Sequence, residues 1–249
     1  MGKADLHIHT TYSHDGSSTI QAVLDWAAGY AGLDIIAITD HDQVEGGLRA
    51  CELAEDYGVQ VIPGSEISTR DGHLLAYFIH ERIEPGLPLI ETVLRVAEQG
   101  GICAAAHPMA RGVNSLSHET VRRAVSLPEV RACLVAAEAY NSGLVYLNSN
   151  LRAQWMCADL GLSPTGGSDA HVLWTVGNAV TEFPGESIAD LRAALINGST
   201  RAVPRISGHS LQFFVSNIQR RLMRHLGWVT WTPEPRAGFV TARLNVVQR

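Results

Sequence analysis

Short polar clusters recur at residues 13–15, 40–42, 64–66, 107–108 and 167–171, each of them following an apolar run. Between them lie stretches with apolar residues at helical spacing, so the chain alternates strands with amphipathic helices. Alternation on this scale argues for a parallel barrel or a doubly wound sheet. An open sheet feeds its site from a few loops at one crevice. A barrel gathers every C-terminal strand end around one mouth, which suits polar ends spread over the whole chain. With 249 residues, 46% of them apolar, the chain can bury the core of one such barrel.

The first strand, residues 3–9, places His7 and His9 two apart in an alternating run. In a strand both imidazoles point one way, and Leu6 and Ile8 are expected to point the other. Two imidazoles aimed into one space make half of a first-row metal site. Asp15 follows in a loop that can fold back over the strand end. A helix capped by Thr19 precedes a short apolar strand, residues 34–39, which delivers Asp40, His41 and Asp42. A helix over 44–57 leads to a strand from 59 that ends in Pro63-Gly-Ser-Glu66. The strand over 73–79 has His73 at its start. Helix 89–99 leads into strand 102–106 and His107-Pro108. Ser117 caps the next helix, strand 134–139 carries Glu138 and ends at Asn141, and helix 147–160 follows. Residues 162–165 run into Gly166-Gly-Ser-Asp-Ala-His171, and helix 187–197 precedes a last strand at 200–203.

The mouth then holds His7, His9, Asp15, His41, Glu66, His73, His107, Asp169 and His171. Six imidazoles and three carboxylates are more than one ion can use. A carboxylate can bridge two cations, and mixed N/O ligation suits Mn(II), Zn(II) or Fe(II) rather than calcium. Asp40 is expected to orient a ligand histidine rather than to bind metal. Any one of these histidines alone reads as a hydrogen-bonded surface or core residue; nine donor residues gathered at strand ends do not.

The series H-I-H-T…S-H-D-G, T-D-H-D, G-S-E-I, A-H-P and G-S-D-A-H resembles the PHP (polymerase and histidinol phosphatase) superfamily over residues 3–204. The resemblance implies a distorted (β/α)7 TIM-like barrel, up to three divalent metals and phosphoesterase activity. It implies that His7, His9, Glu66 and Asp169 hold one metal, Glu66, His73 and His107 a second, and Asp15, His41 and His171 a third. Asp15 stands where histidinol phosphatases place a histidine, which weighs against histidinol phosphate as substrate. The reaction implied is hydrolysis of a phosphomonoester or small phosphodiester by a metal-activated water, on a nucleotide-like compound or short oligonucleotide. No G-x-S-x-G supplies a serine nucleophile. Arg111, Asn141 and Ser168 are candidates to touch substrate, or else are ordinary loop residues. An amidohydrolase-type barrel also opens with H-x-H. Its dinuclear form needs a carbamylated lysine on a middle strand, and the only lysine here is Lys3. A mononuclear form would leave Asp15, His41 and Glu66 unexplained. A non-catalytic metal-binding barrel would be expected to have lost ligands.

Residues 199–249 hold eight arginines against one acid, Glu234, so with a net charge of −6 residues 1–198 carry −13. Bound cations would neutralise part of that acidity. Residues 205–249 are expected to form a basic extension with a helix over 211–226. The apolar face of that helix is set to pack on the barrel or on a second copy of the chain, with nucleic acid or an anionic membrane surface as the alternative. Cys51, Cys103 and Cys157 lie among small residues and read as reduced thiols, which favours the cytoplasm. No secretory leader and no transmembrane run is expected.

Overall fold

A computed structural model describes residues 1–143 and 147–205, together with two short strands, Val229–Thr230 and Asn245–Val246. Residues 1–205 form one compact unit. Val229–Thr230 and Asn245–Val246 pair antiparallel with each other. The helix expected over 211–226 lies outside the described residues.

The strands are β1 (Gly2–Ile8), β2 (Ile35–Ile38), β3 (Gln60–Ser68), β4 (His73–Tyr77), β5 (Ile102–Ala105), β6 (Leu134–Asn141), β7 (Ser163–Gly167), β8 (Ala179–Phe183) and β9 (Arg201–Pro204). They hydrogen-bond in the order β7-β6-β5-β4-β3-β2-β1-β8-β9. A parallel bridge between Ile8 and Ala170 brings the end of β7 back to β1, so the seven strands β1–β7 curl into a nearly closed barrel. The helices are α1 (Ile20–Trp26), α2 (Glu45–Leu53), α3 (Leu89–Glu98), α4 (His118–Val125), α5 (Pro128–Arg131), α6 (Leu147–Leu160) and α7 (Ile188–Asn197). This is the expected distorted barrel. Its caps follow local chemistry: Thr19 accepts from Ala22 N–H, and Ser187 and Asp190 form a reciprocal capping box on α7.

Two departures from a regular barrel shape the site. First, β4 runs antiparallel to both β3 and β5, as one arm of a hairpin. His73, at the start of β4, therefore opens onto the same mouth as the ends of the parallel strands. Second, β1 pairs with β2 at Asp5↔Ile36 and next at Ile8↔Ile38, so β1 contains one residue more than its partner. Leu6 consequently packs with Ile62, Leu75 and Tyr77, whereas Ile8 packs with Ile36 and Ile38. The expectation that Leu6 and Ile8 share a face fails because of this extra residue.

Below the mouth the barrel is filled by Ala4, Leu6, Ile35, Ala37, Ile62, Leu75, Ala104 and Ala136, and α7 adds Leu191 and Leu195. The hairpin of β8 with β9 extends the sheet beyond β1, and β8 was not expected from the sequence. Cys103, Cys133 and Cys157 are buried thiols and Cys51 is half-buried. Among the described residues no helix is long and apolar enough to cross a membrane.

Candidate metal centre

Glu66, at the end of β3, is the hub of the mouth. Its Oε1 lies 2.8 Å from His73 Nδ1 and 3.0 Å from His107 Nε2. Its Oε2 lies 3.1 Å from His7 Nε2, 3.2 Å from His9 Nε2 and 3.3 Å from His41 Nδ1. Each carboxylate oxygen thus faces a different group of imidazoles. Asp169 Oδ1 stands 3.4 Å from both His7 Nε2 and His9 Nε2. Further out, Asp15 Oδ2 is 3.1 Å from His171 Nε2 and 3.4 Å from His41 Nε2.

Three groups have donor atoms within 4.8 Å of one another: His7 with His9, Glu66 and Asp169; His41 with Glu66 and His73; and His9 with Asp15, His41 and His171. The first coincides with the set expected for one metal. In the others His9 and His41 each face two groups. His107 joins the second through Glu66.

The backbone turns these side chains inward at some strain. His107 and Asp169 adopt φ of +26° and +52°, each two residues beyond the end of a barrel strand. A non-glycine residue held there costs on the order of 1–3 kcal/mol and persists only where its surroundings enforce it.

The electrostatics match a cation site. His7 Nε2 and His9 Nε2 are 3.1 Å apart, so two protonated nitrogens there would repel. Burial pulls the His9 imidazole down, yet hydrogen bonds with Asp169 and Glu66 outweigh it and hold the ring up at about 9. Burial likewise opposes a charge on His7, but Glu138, Asp169 and Glu66 raise it well above the ordinary value. Glu66 and Asp169 are both pushed up by burial and then held well below the usual carboxylate range, with His7 the largest opposing cause for each. Asp15 is lowered too, by His171 and His41 against its burial. Without metal the cluster therefore draws protons onto its rings. A donor set of imidazole nitrogens and carboxylate oxygens fits divalent first-row ions in their place.

Around this set stands a supporting layer, of which only Asp40 had been expected to orient a ligand. Glu138 on β6 accepts from His7 Nδ1 and the His107 N–H. Ser13 Oγ lies 3.1 Å from His9 Nδ1 and accepts the His41 N–H at 2.9 Å. Asp5 accepts N–H groups of Ser168, Gly177 and His7, which ties the 168–171 loop to β1. Burial raises the Asp5 carboxyl to about 6 in spite of those bonds. Asp40 holds the Thr10 N–H at 2.6 Å and the Thr10 hydroxyl at 2.8 Å. It fixes the loop after His9 and not, as expected, a histidine ring. The available signal was an acid placed inside an apolar run, as in Leu-Val-Ala-Ala-Glu138.

The three expected substrate residues separate. Asn141 is fully buried, with its amide N–H groups on Glu138 and Asp169 and its oxygen accepting Gly143 N–H. Ser168 is buried with its hydroxyl on the His7 carbonyl. Both side chains are bonded to the protein itself. Arg111 is exposed on the loop beyond His107.

A barrel whose mouth is ringed with converging imidazoles and carboxylates defines a class of metal-centre proteins. Residues 5–159 match the model of the PHP domain and residues 148–200 that of the PHP-associated region. The chain belongs to the PHP family. An uncharacterized protein of Methanocaldococcus jannaschii is 30% identical over 184 residues, 73% of this chain and 70% of that protein. A phosphoribosyl 1,2-cyclic phosphate 1,2-diphosphodiesterase of Eggerthella lenta is 33% identical over 132 residues, 52% of this chain but only half of that protein. The fold resembles a two-domain protein from Bacteroides vulgatus containing a predicted PHP-like metal-dependent phosphoesterase. The TM-score is 0.65 and the identity 22%, over 94% of this chain and 72% of the other.

Proposed function

We propose that this chain is a metal-dependent phosphoesterase acting on a phosphomonoester or small phosphodiester, with a nucleotide-like compound as substrate. One observation carries the reading: Glu66 divides its two oxygens between separate groups of histidines, as a carboxylate bridging two cations would. His7, His9, Glu66 and Asp169 would hold one ion, Glu66, His73 and His107 a second, and Asp15, His41 and His171 a third, with Mn(II), Zn(II) or Fe(II) as the fitting metals. Such ions would supply charge for the phosphoryl oxygens and acidify a water. Support comes from the E. lenta relative, which is named as a phosphodiesterase.

The chain's own residues set the geometry for that chemistry. The donors converge from β1, β3, β4, β5 and β7, so a phosphate at the mouth meets groups fixed by different strands. The rings of His41 and His171 and the Asp15 carboxylate form the solvent side, where a substrate enters. Orientation by a rigid frame is the main protein contribution in phosphoryl transfer.

The test is a panel of phosphomonoesters, cyclic phosphates and short oligonucleotides, assayed after prolonged chelation and again with Mn(II) restored. Phosphate release that vanishes on chelation and returns with metal is expected. Equal release by the chelated protein would falsify the reading.

A further inference from the structure

We propose that Glu138 is the positioning residue of the inner metal group: it fixes which nitrogen of His7 carries the proton, and through Asn141 it sets the direction of Asp169. The inference rests on the metal-dependent reading above. Glu138 is only 1% exposed, so its carboxylate acts on its protein neighbours. Oε1 lies 3.0 Å from His7 Nδ1. Oε2 accepts the His107 N–H at 2.7 Å and an Asn141 amide hydrogen at 3.1 Å. The same Asn141 nitrogen lies 3.2 Å from Asp169 Oδ2. One carboxylate thus governs a ring of the inner group, the backbone of a ligand histidine and, one step on, a ligand carboxylate.

A carboxylate facing Nδ1 makes that nitrogen the donor. The lone pair is then left on Nε2, the nitrogen that faces His9, Glu66 and Asp169. Gly167 on β7 keeps the space open, since a Cβ there would stand 2.2 Å from Glu138 Oε1 and 2.8 Å from His7 Cβ. The second glycine of Gly166-Gly-Ser-Asp thereby has a physical reason that is separate from the ligands that follow it.

The geometry gives Glu138→Gln a definite outcome. The His107 N–H is backbone and cannot turn away, so the amide oxygen must occupy the Oε2 position. Its NH₂ group then faces His7 Nδ1 and forces the ring to accept there. The ring proton moves to Nε2, where it points into the metal group and blocks coordination. Zinc per chain, by elemental analysis, and the ring nitrogens of His7, by ¹⁵N NMR of zinc-loaded protein, read this directly.

Wild-type protein is expected to show the His7 proton on Nδ1. Glu138→Gln is expected to bind the inner zinc about 10- to 100-fold more weakly, as loss of such a partner typically does, while the zinc beside His171 stays. A Glu138→Gln protein with its full zinc complement and unchanged His7 would overturn the proposal. So would wild-type protein with its His7 proton on Nε2, a result that needs no variant to fold. Zinc-loaded wild-type protein that follows this pattern yet releases no phosphate would count against the phosphoesterase reading alone. A wild-type chain that takes up no zinc would sink both.

Discussion

His7 and His9 are wholly buried and Glu66 is 1% exposed, whereas Asp15 is 36% and His171 33% exposed. The two halves of the centre use the same kinds of side chain and are held differently. In the inner half, protein groups take the far side of the ligands: Glu138 for His7, Ser13 for His9, Ser115 for His107 and Asn141 for Asp169. In the outer half, Asp15 and His171 lean on each other, and His171 Nδ1 faces Asp169 alone, its carbonyl at 3.0 Å and its Oδ1 at 3.5 Å. An uncompensated buried charge costs several kcal/mol. The inner carboxylates therefore need cations or protonated rings at all times, and the outer ones can rely on water. The difference assigns structure and chemistry to the inner half and exchange with solvent to the outer.

Glu66→Gln should break the comparison most severely. It removes the one charge shared by both groups of imidazoles, so metal content and phosphate release should fall together, the latter by more than about 100-fold. A variant that keeps every ion would refute the bridging role of Glu66. His171→Ala should confine its damage to the outer half: one ion lost, the inner ions kept, and activity reduced about 10- to 100-fold. Loss of all metal from His171→Ala would show that the halves are not separable.

The pH dependence sharpens the same contrast. His9 is raised in the metal-free fold to about 9 from 6.5. A raised imidazole contributes stability that is complete below about 6.5 and lost as pH climbs through 9. Melting temperatures of metal-free protein should accordingly fall between those values. Metal-loaded protein, with ions in place of those protons, should hold steady there, and parallel curves for the two forms would remove His9 from the account. His14 should matter least. It is 78% exposed and its Nε2 lies 3.8 Å from Asp15, an arrangement worth less than about 1 kcal/mol. His14→Ala should leave the melting temperature and metal count where they were; a lost outer ion would add His14 to the ligands.

The cluster of imidazoles and carboxylates at the mouth was legible because acids and histidines stand out where apolar strands end, and the order of the motifs matched a family. The direction of β4 was not. Period-two alternation reads the same in both directions, so only the observed pairing explains how His73 reaches the mouth from a strand's beginning. The extra residue in β1 was hidden for a similar reason, because it shows only in the register against β2. The burial of Asn141 and Ser168 was hidden too, because a polar residue near a strand end looks identical whether it turns toward solvent or inward. Glu138 was visible as a lone acid in an apolar strand, but its partners lie 131 residues away at His7 and 31 away at His107. The expected basic helix over 211–226, set to pack on the barrel or on a second copy or to meet nucleic acid or an anionic membrane surface, lies outside the described residues.

Stepwise chelation of metal-loaded wild-type protein, with metal per chain and phosphate release measured on the same samples, tests the central claim most directly. Two stages of metal loss are expected, the outer ion first, with phosphate release reduced about 10- to 100-fold before the inner ions leave and gone once they have left. Full phosphate release from metal-free chain would contradict the account.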